Sequence, residues 1–173
     1  MGACPRRPEN GGNGMPDNKT IEMLIDQALS MMSRSYIPYS NFAVGAALLC
    51  EDGTVYTGCN IENAAYTPTI CAERTAFFKA VSEGKTSFKA IAIAGGADRI
   101  PDALTSPCGV CRQVMMEFAP DLEVICLNGA GKAGVAQRGV VNRRNDACMA
   151  RVALRYRRHE RAPRPVAALD PAA

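Results

Sequence analysis

The sequence predicts an α/β layered sandwich, and three observations lead there. Segments with helical spacing and short apolar runs alternate between residues 18 and 128. A hairpin comes first and two helix–strand pairs follow, an order that lays helices against a shared sheet. The 173 residues, 47% of them hydrophobic, suffice for one domain with a buried core.

Taken in order, the first helix starts near Asn18 to Thr20, which can cap it, and aligns Ile21, Leu24, Ile25 and Leu29 on one face. It ends by Arg34, before the turn-prone Ser35-Tyr36-Ile37-Pro38. Ala43 to Cys50 reads as a buried strand, Glu51-Asp52-Gly53 as a turn, and Thr54 to Cys59 as the partner strand. After a loop from Asn60 to Thr69, helical spacing runs from Ile70 to Ser82 and stops near Gly84. Phe88 to Gly95 is a second buried strand, with Ile91 and Ile93 alternating with alanine. Pro107 sits where helices begin, Cys108 to Phe118 continues as a helix, and Leu122 to Leu127 is a further strand.

The ends have a different composition. Residues 1–17 are rich in Gly, Pro, Asn and Arg, lack the apolar stretch of a signal peptide, and read as a disordered leader. Residues 1–128 carry 10 basic against 14 acidic side chains, whereas 129–173 carry 10 against 3. The second segment reads as a basic Ala-, Arg- and Pro-rich tail, patterned only around Cys148 to Tyr156. One aromatic, Tyr156, lies among its charges, which argues against a nucleic-acid surface. No apolar run approaches the ~20 residues of a membrane span. The eight cysteines, without an export signal, point to a reducing cytoplasm.

Three of those cysteines stand apart. Cys71 opens one helix, and Cys108 and Cys111 form a Pro-Cys-x-x-Cys group at the start of another, where residues three apart share a face. A catalytic zinc takes three protein ligands and keeps its fourth position for water. Three thiolates on one divalent ion leave negative charge, which helix N-termini and Arg74 can offset. The lone histidine, His159, lies in the tail, so an all-thiolate site is the coherent reading. Glu73 shares the first helical turn with Cys71 and can move protons beside the ion. A Cys-x-x-Cys alone also fits a redox dithiol, half of a structural zinc site, or two buried thiols. A second such pair is absent, and a redox reading leaves Cys71-Ala72-Glu73 unexplained. Cys50, Cys59 and Cys126 fall on strands and read as small core residues. Cys4 and Cys148 receive no role.

Cys71-Ala72-Glu73-Arg74 and Pro107-Cys108-Gly109-Val110-Cys111-Arg112-Gln113 together resemble the small homotetrameric branch of the cytidine deaminase family. Pro38-Tyr39-Ser40-Asn41-Phe42-Ala43-Val44-Gly45-Ala46-Ala47-Leu48 is similar to that family's first strand, and Gly58-Cys59-Asn60-Ile61-Glu62-Asn63-Ala64 to its nucleoside loop. The resemblance implies a three-layer α/β/α fold with a mixed central sheet over residues 18–128. It implies Zn2+ on Cys71, Cys108 and Cys111, with Glu73 as proton shuttle. Substrate contacts would come from Phe42 at the pyrimidine, the Ala72 backbone at the base, and Asn60 and Glu62 at the ribose 3′-hydroxyl. Ala64 and Tyr66 would approach a neighbouring subunit's site in a homotetramer.

The implied reaction is hydrolysis of cytidine and deoxycytidine to the uridines in cytoplasmic pyrimidine salvage. Two other readings stay open: deamination of another aminopyrimidine nucleoside such as a nucleoside antibiotic, and an impaired zinc-binding protein of the same fold. Taken without the resemblance, Asn60 and Glu62 are turn residues that satisfy local backbone, and Phe42 is core. The family pattern stops near Leu127. Its next strand and its Phe-Gly-Pro lid are not visible, as if the reading frame had changed, and the expectation is an exposed sheet edge.

Overall fold

The computed structural model describes residues 16–102 and 104–128 and two strands beyond them, at 135–140 and 153–155. The expected leader lies almost wholly outside the described residues, as do Cys4, Cys148, His159 and most of the basic tail.

Helix α1 (Asn18–Met32) precedes strands β1 (Phe42–Cys50) and β2 (Val55–Cys59). Helix α2 (Ala72–Ser82), strand β3 (Phe88–Ala97), helix α3 (Gly109–Phe118) and strand β4 (Glu123–Asn128) follow, and then β5 (Val135–Val140) and β6 (Ala153–Arg155). The sheet runs β2-β1-β3-β4-β5-β6. β1 is antiparallel to β2 and to β3, while β3 and β4 are parallel, so the sheet is mixed as expected.

Strand alternation divides the core into two layers. Ala46, Leu48, Ile91, Ile93, Val124 and Cys126 point to one face and pack on Ala76, Phe77 and Ala80 of α2 and Met115 of α3. Ala43, Ala47, Leu49, Ala90, Ala92, Ala94 and Ile125 point to the other and meet Ile21, Leu24, Ile25, Ala28 and Met32 of α1. The alanine-rich face explains how closely α1 approaches. A Cβ on Gly45 would lie 2.0 Å from the Ala28 carbonyl oxygen. Gly58 does the same for α2, since a Cβ there would lie 2.4 Å from the Ala72 oxygen. Three layers, α/β/α, result.

The boundaries correct the sequence reading in three places. Asp17, not a residue of 18–20, caps α1, its carboxylate accepting from the Thr20 N–H at 2.8 Å. Cys71 and Cys108 are the N-cap residues of α2 and α3, with extended backbone, so α2 starts at Ala72 and Pro107 precedes the cap. The third correction concerns the sheet edge. β5 pairs antiparallel with β4 from Glu123↔Val140 to Asn128↔Val135, so β4 is not left open. The run Val-Ala-Gln-Arg-Gly-Val has no apolar alternation, and ladder hydrogen bonds come from the backbone, so periodicity could not reveal this strand. β6 falls inside the patterned stretch Cys148 to Tyr156.

Cys50, Cys59 and Cys126 are buried, as small core residues should be. Burial pushes the Cys50 thiol up to about 11, which keeps it neutral at physiological pH.

Candidate active site

The N-terminal ends of α2 and α3 converge on the same side of the sheet. Their two N-cap sulfurs, Cys71 Sγ and Cys108 Sγ, lie 3.8 Å apart. Cys111, one turn into α3, places its sulfur 3.5 Å from that of Cys108. All three lie within 4.8 Å of one another and form the one candidate metal cluster among the described residues. A tetrahedral ion with bonds of about 2.3 Å needs sulfurs about 3.8 Å apart, so the spacing fits zinc. With three protein ligands, a fourth position remains for water or substrate. Both helix ends contribute partial positive charge where thiolate charge would gather. The Cys111 N–H also points at Cys108 Sγ, 3.5 Å away.

The thiols are electrostatically unequal. Cys71 is lowered to about 5, first by the hydrogen bond from Cys111 and then, against the cost of burial, by the Arg74 guanidinium. Cys111 moves the opposite way, raised first by its hydrogen bond with Cys71 and then by burial. Arg74 Nη2 lies 3.6 Å from Cys71 Sγ and donates to the Thr69 carbonyl at 3.1 Å. Its charge therefore stands beside a sulfur.

Glu73 occupies the first turn of α2 and is 4% exposed. Burial, with the nearby Cys71 charge as a lesser cause, raises its carboxyl to about 7. A carboxylate poised near neutrality can take a proton and return it. Ala72, beside it, is fully buried.

Asn60 and Glu62 follow β2 and reach back to the approach of β1. The Asn60 side chain accepts from the Val44 N–H at 2.8 Å and donates to the Phe42 carbonyl at 2.9 Å. Part of its hydrogen-bonding capacity therefore serves backbone, but that of β1, 16 and 18 residues away, and not the local backbone of a turn residue. Glu62 Oε2 accepts from the N–H groups of Tyr39 and Ser40, at 2.9 and 3.2 Å, and the Ser40 and Tyr39 hydrogen bonds hold its carboxyl below the ordinary range. Phe42 is half-buried at the first position of β1, on the side of the sheet that faces α2 and α3. Reciprocal bonds between Ile61 and Ile70, both 3.0 Å, close the intervening loop and deliver the chain to Cys71. Ala64 and Tyr66 lie on that loop, and Tyr66 is 83% exposed.

Some supporting residues carried no signal in the sequence. Thr75 Oγ1 donates to the carbonyls of Cys59 and Cys71, at 3.1 and 3.2 Å, and ties α2 to the end of β2. Arg112 Nε donates to the Pro107 carbonyl at 3.0 Å and steadies the turn that presents Cys108. Thr75 one turn after Cys71 is the only local hint, since hydroxyls on helices often bond the carbonyl four residues back.

Residues 18–127 match the family model described as the cytidine and deoxycytidylate deaminase zinc-binding region. Among similar proteins, the cytidine deaminase of Sporosarcina psychrophila is 57% identical over 98 residues, 57% of this chain and 69% of that one. A probable cytidine deaminase of Dictyostelium discoideum is 47% identical over 111 residues, 64% of this chain and 73% of that one. Among solved structures, the Burkholderia pseudomallei cytidine deaminase superposes with a TM-score of 0.62 at 43% identity, covering 69% of this chain and 91% of that one.

Proposed function

The chain belongs to the cytidine and deoxycytidylate deaminase family, and from that premise we propose that it is a zinc-dependent hydrolase converting cytidine and deoxycytidine to the uridines and ammonia. The observation that carries this is the buried carboxyl of Glu73, two residues from Cys71, beside three sulfurs spaced for one tetrahedral ion.

Cys71, Cys108 and Cys111 would hold the ion, and Arg74 with the two helix ends would offset the thiolate charge. The chemistry that zinc supplies when bound there is Lewis acidity, which activates water near neutral pH. Glu73 accepts the proton of the attacking water and passes it to N3, making C4 electrophilic. The water oxygen bonds to C4, and Glu73 then takes the remaining hydroxyl proton and passes it to the departing amine, so that the C4–N bond breaks as the C4=O carbonyl forms. One water enters and one ammonia leaves. Phe42 packs against the pyrimidine, the Ala72 backbone contacts the base, and Asn60 and Glu62 hold the ribose 3′-hydroxyl, to which a carboxylate and an amide are both suited. A carboxylate so close to the sugar repels phosphate, which supports a free nucleoside over its monophosphate.

The remaining parts of the reading are a role in pyrimidine salvage, a cytoplasmic setting and a homotetramer. Exposed Tyr66 and the neighbouring Ala64 support the last, because they offer a neighbouring subunit's site an aromatic edge. No described helix is long and apolar enough to cross a membrane. The test is ultraviolet-monitored turnover of cytidine by purified protein of measured zinc content. Turnover with about one zinc per chain, the load of a single three-thiolate site, is the expected result. A fully loaded chain that leaves cytidine and deoxycytidine unchanged refutes it.

A further inference from the structure

Three non-glycine residues with left-handed backbone, Asn41, Asp98 and Arg99, meet at one place, although 57 residues separate Asn41 from Asp98. Asn41 and Asp98 bond reciprocally. The Asn41 amide nitrogen donates to the Asp98 carboxylate, and the Asp98 N–H donates to the Asn41 carbonyl at 3.1 Å. Arg99 adds a third bond, from its guanidinium to the Ser35 carbonyl at 3.2 Å. Left-handed backbone is disfavoured for an arginine and persists where surrounding contacts over-determine it.

The segment gripped in this way, 35–41, is the one whose Tyr39 and Ser40 N–H groups fix the Glu62 carboxylate. The same segment also bonds to the nucleoside loop, through Tyr36 N–H to the Asn60 carbonyl at 3.1 Å and Glu62 N–H to the Tyr36 carbonyl at 2.9 Å. It is thus held between the turn after β3 and the loop that carries Asn60 and Glu62. We propose that Asp98, with Asn41 and Arg99, is a positioning residue for the sugar end of the substrate, acting through the 35–41 segment on Glu62. This rests on the deaminase reading above. The Asp98 hydrogen bonds go to Asn41 and not to Cys71, Glu73, Cys108 or Cys111, so its removal loosens sugar binding and leaves the chemical step intact.

The experiment is steady-state kinetics on the full zinc-loaded chain with Asp98→Gly, Asp98→Asn and Asp98→Gly/Glu62→Gln. Glycine keeps the left-handed backbone and loses the acceptor, whereas asparagine keeps both. For Asp98→Gly, KM for cytidine should rise about three- to tenfold, the worth of one partly exposed hydrogen bond, with kcat held. Asp98→Asn should restore KM. With 2′,3′-dideoxycytidine, which lacks the 3′-hydroxyl, the penalty should vanish, and on a Glu62→Gln background it should shrink. An equal penalty with both nucleosides, or a fall in kcat with KM unchanged, overturns the positioning role while wild-type turnover leaves the deaminase reading standing. A wild-type chain without turnover overturns both.

Discussion

The two halves of the site are built on opposite principles. The metal half stands on helix ends: Cys71 and Cys108 cap α2 and α3, Cys111 and Ala72 are buried, and Glu73 is almost fully enclosed. The sugar half stands on loops. Glu62 is held by backbone N–H groups of an exposed segment, and that segment is held in turn by Asp98 and Arg99. Bond-making needs fixed charge in a dry setting, where electrostatic interactions are strong. Binding a hydroxyl needs only correctly aimed donors and acceptors, which loops supply if something fixes the loops. Substitutions in the first half should therefore act on kcat, and those in the second on KM.

The largest expected effect tests the metal half. Glu73→Gln keeps the three sulfurs and loses the proton shuttle, so zinc content should hold while kcat falls about 10²- to 10⁴-fold. Metal analysis beside turnover checks it, and a zinc-loaded variant with wild-type kcat would falsify the shuttle.

An intermediate effect concerns stability in metal-stripped protein. The Glu73 carboxyl is raised from 4.5 to about 7, chiefly by burial. A raised folded pKa contributes stability that is complete below 4.5 and disappears as pH climbs through 7. Metal-free Glu73→Gln has no charge to bury, so it should exceed metal-free wild type in stability above pH 7, by on the order of 3 kcal/mol. The gap should close towards pH 4.5. Thermal or urea unfolding across that window measures it, and a constant gap at all pH values rejects burial as the cause.

The smallest effect belongs to the sugar half. Glu62→Gln keeps an oxygen that can accept from Tyr39 and Ser40 but loses the charge. KM for cytidine should rise about tenfold, as for one charge-assisted hydrogen bond, with kcat and zinc content preserved. If kcat falls instead, Glu62 belongs to the rigid half and the contrast is wrong.

Legibility in the sequence followed the same division. Helical spacing and strand alternation are local, so α1, β1, β2, α2, β3, α3 and β4 were visible to within a few residues, and Cys-x-x-Cys at a helix start announced shared ligation. The cap at Asp17 was missed because Asn18 and Thr20 beside it are also cap-forming residue types. The Asn60 amide bonds to β1, the Thr75 bridge and the Asn41–Asp98 pair were invisible, because hydrogen bonds between distant segments leave no periodic trace.

By itself, then, the sequence determined the order of helices and strands, the Cys108–Cys111 pair at a helix start and the carboxyl two residues from Cys71, since each depends on neighbours within a few residues. Only the tertiary structure decided that Cys71 and Cys108, 37 positions apart, stand 3.8 Å from each other. It also decided that Glu73 is buried enough to titrate near neutrality and that β5 covers the edge of β4. The first two come from how close helices may pack on a sheet of alanines and glycines and from how much water that packing excludes, and the third from backbone pairing. Such quantities belong to the whole core and not to any segment of it.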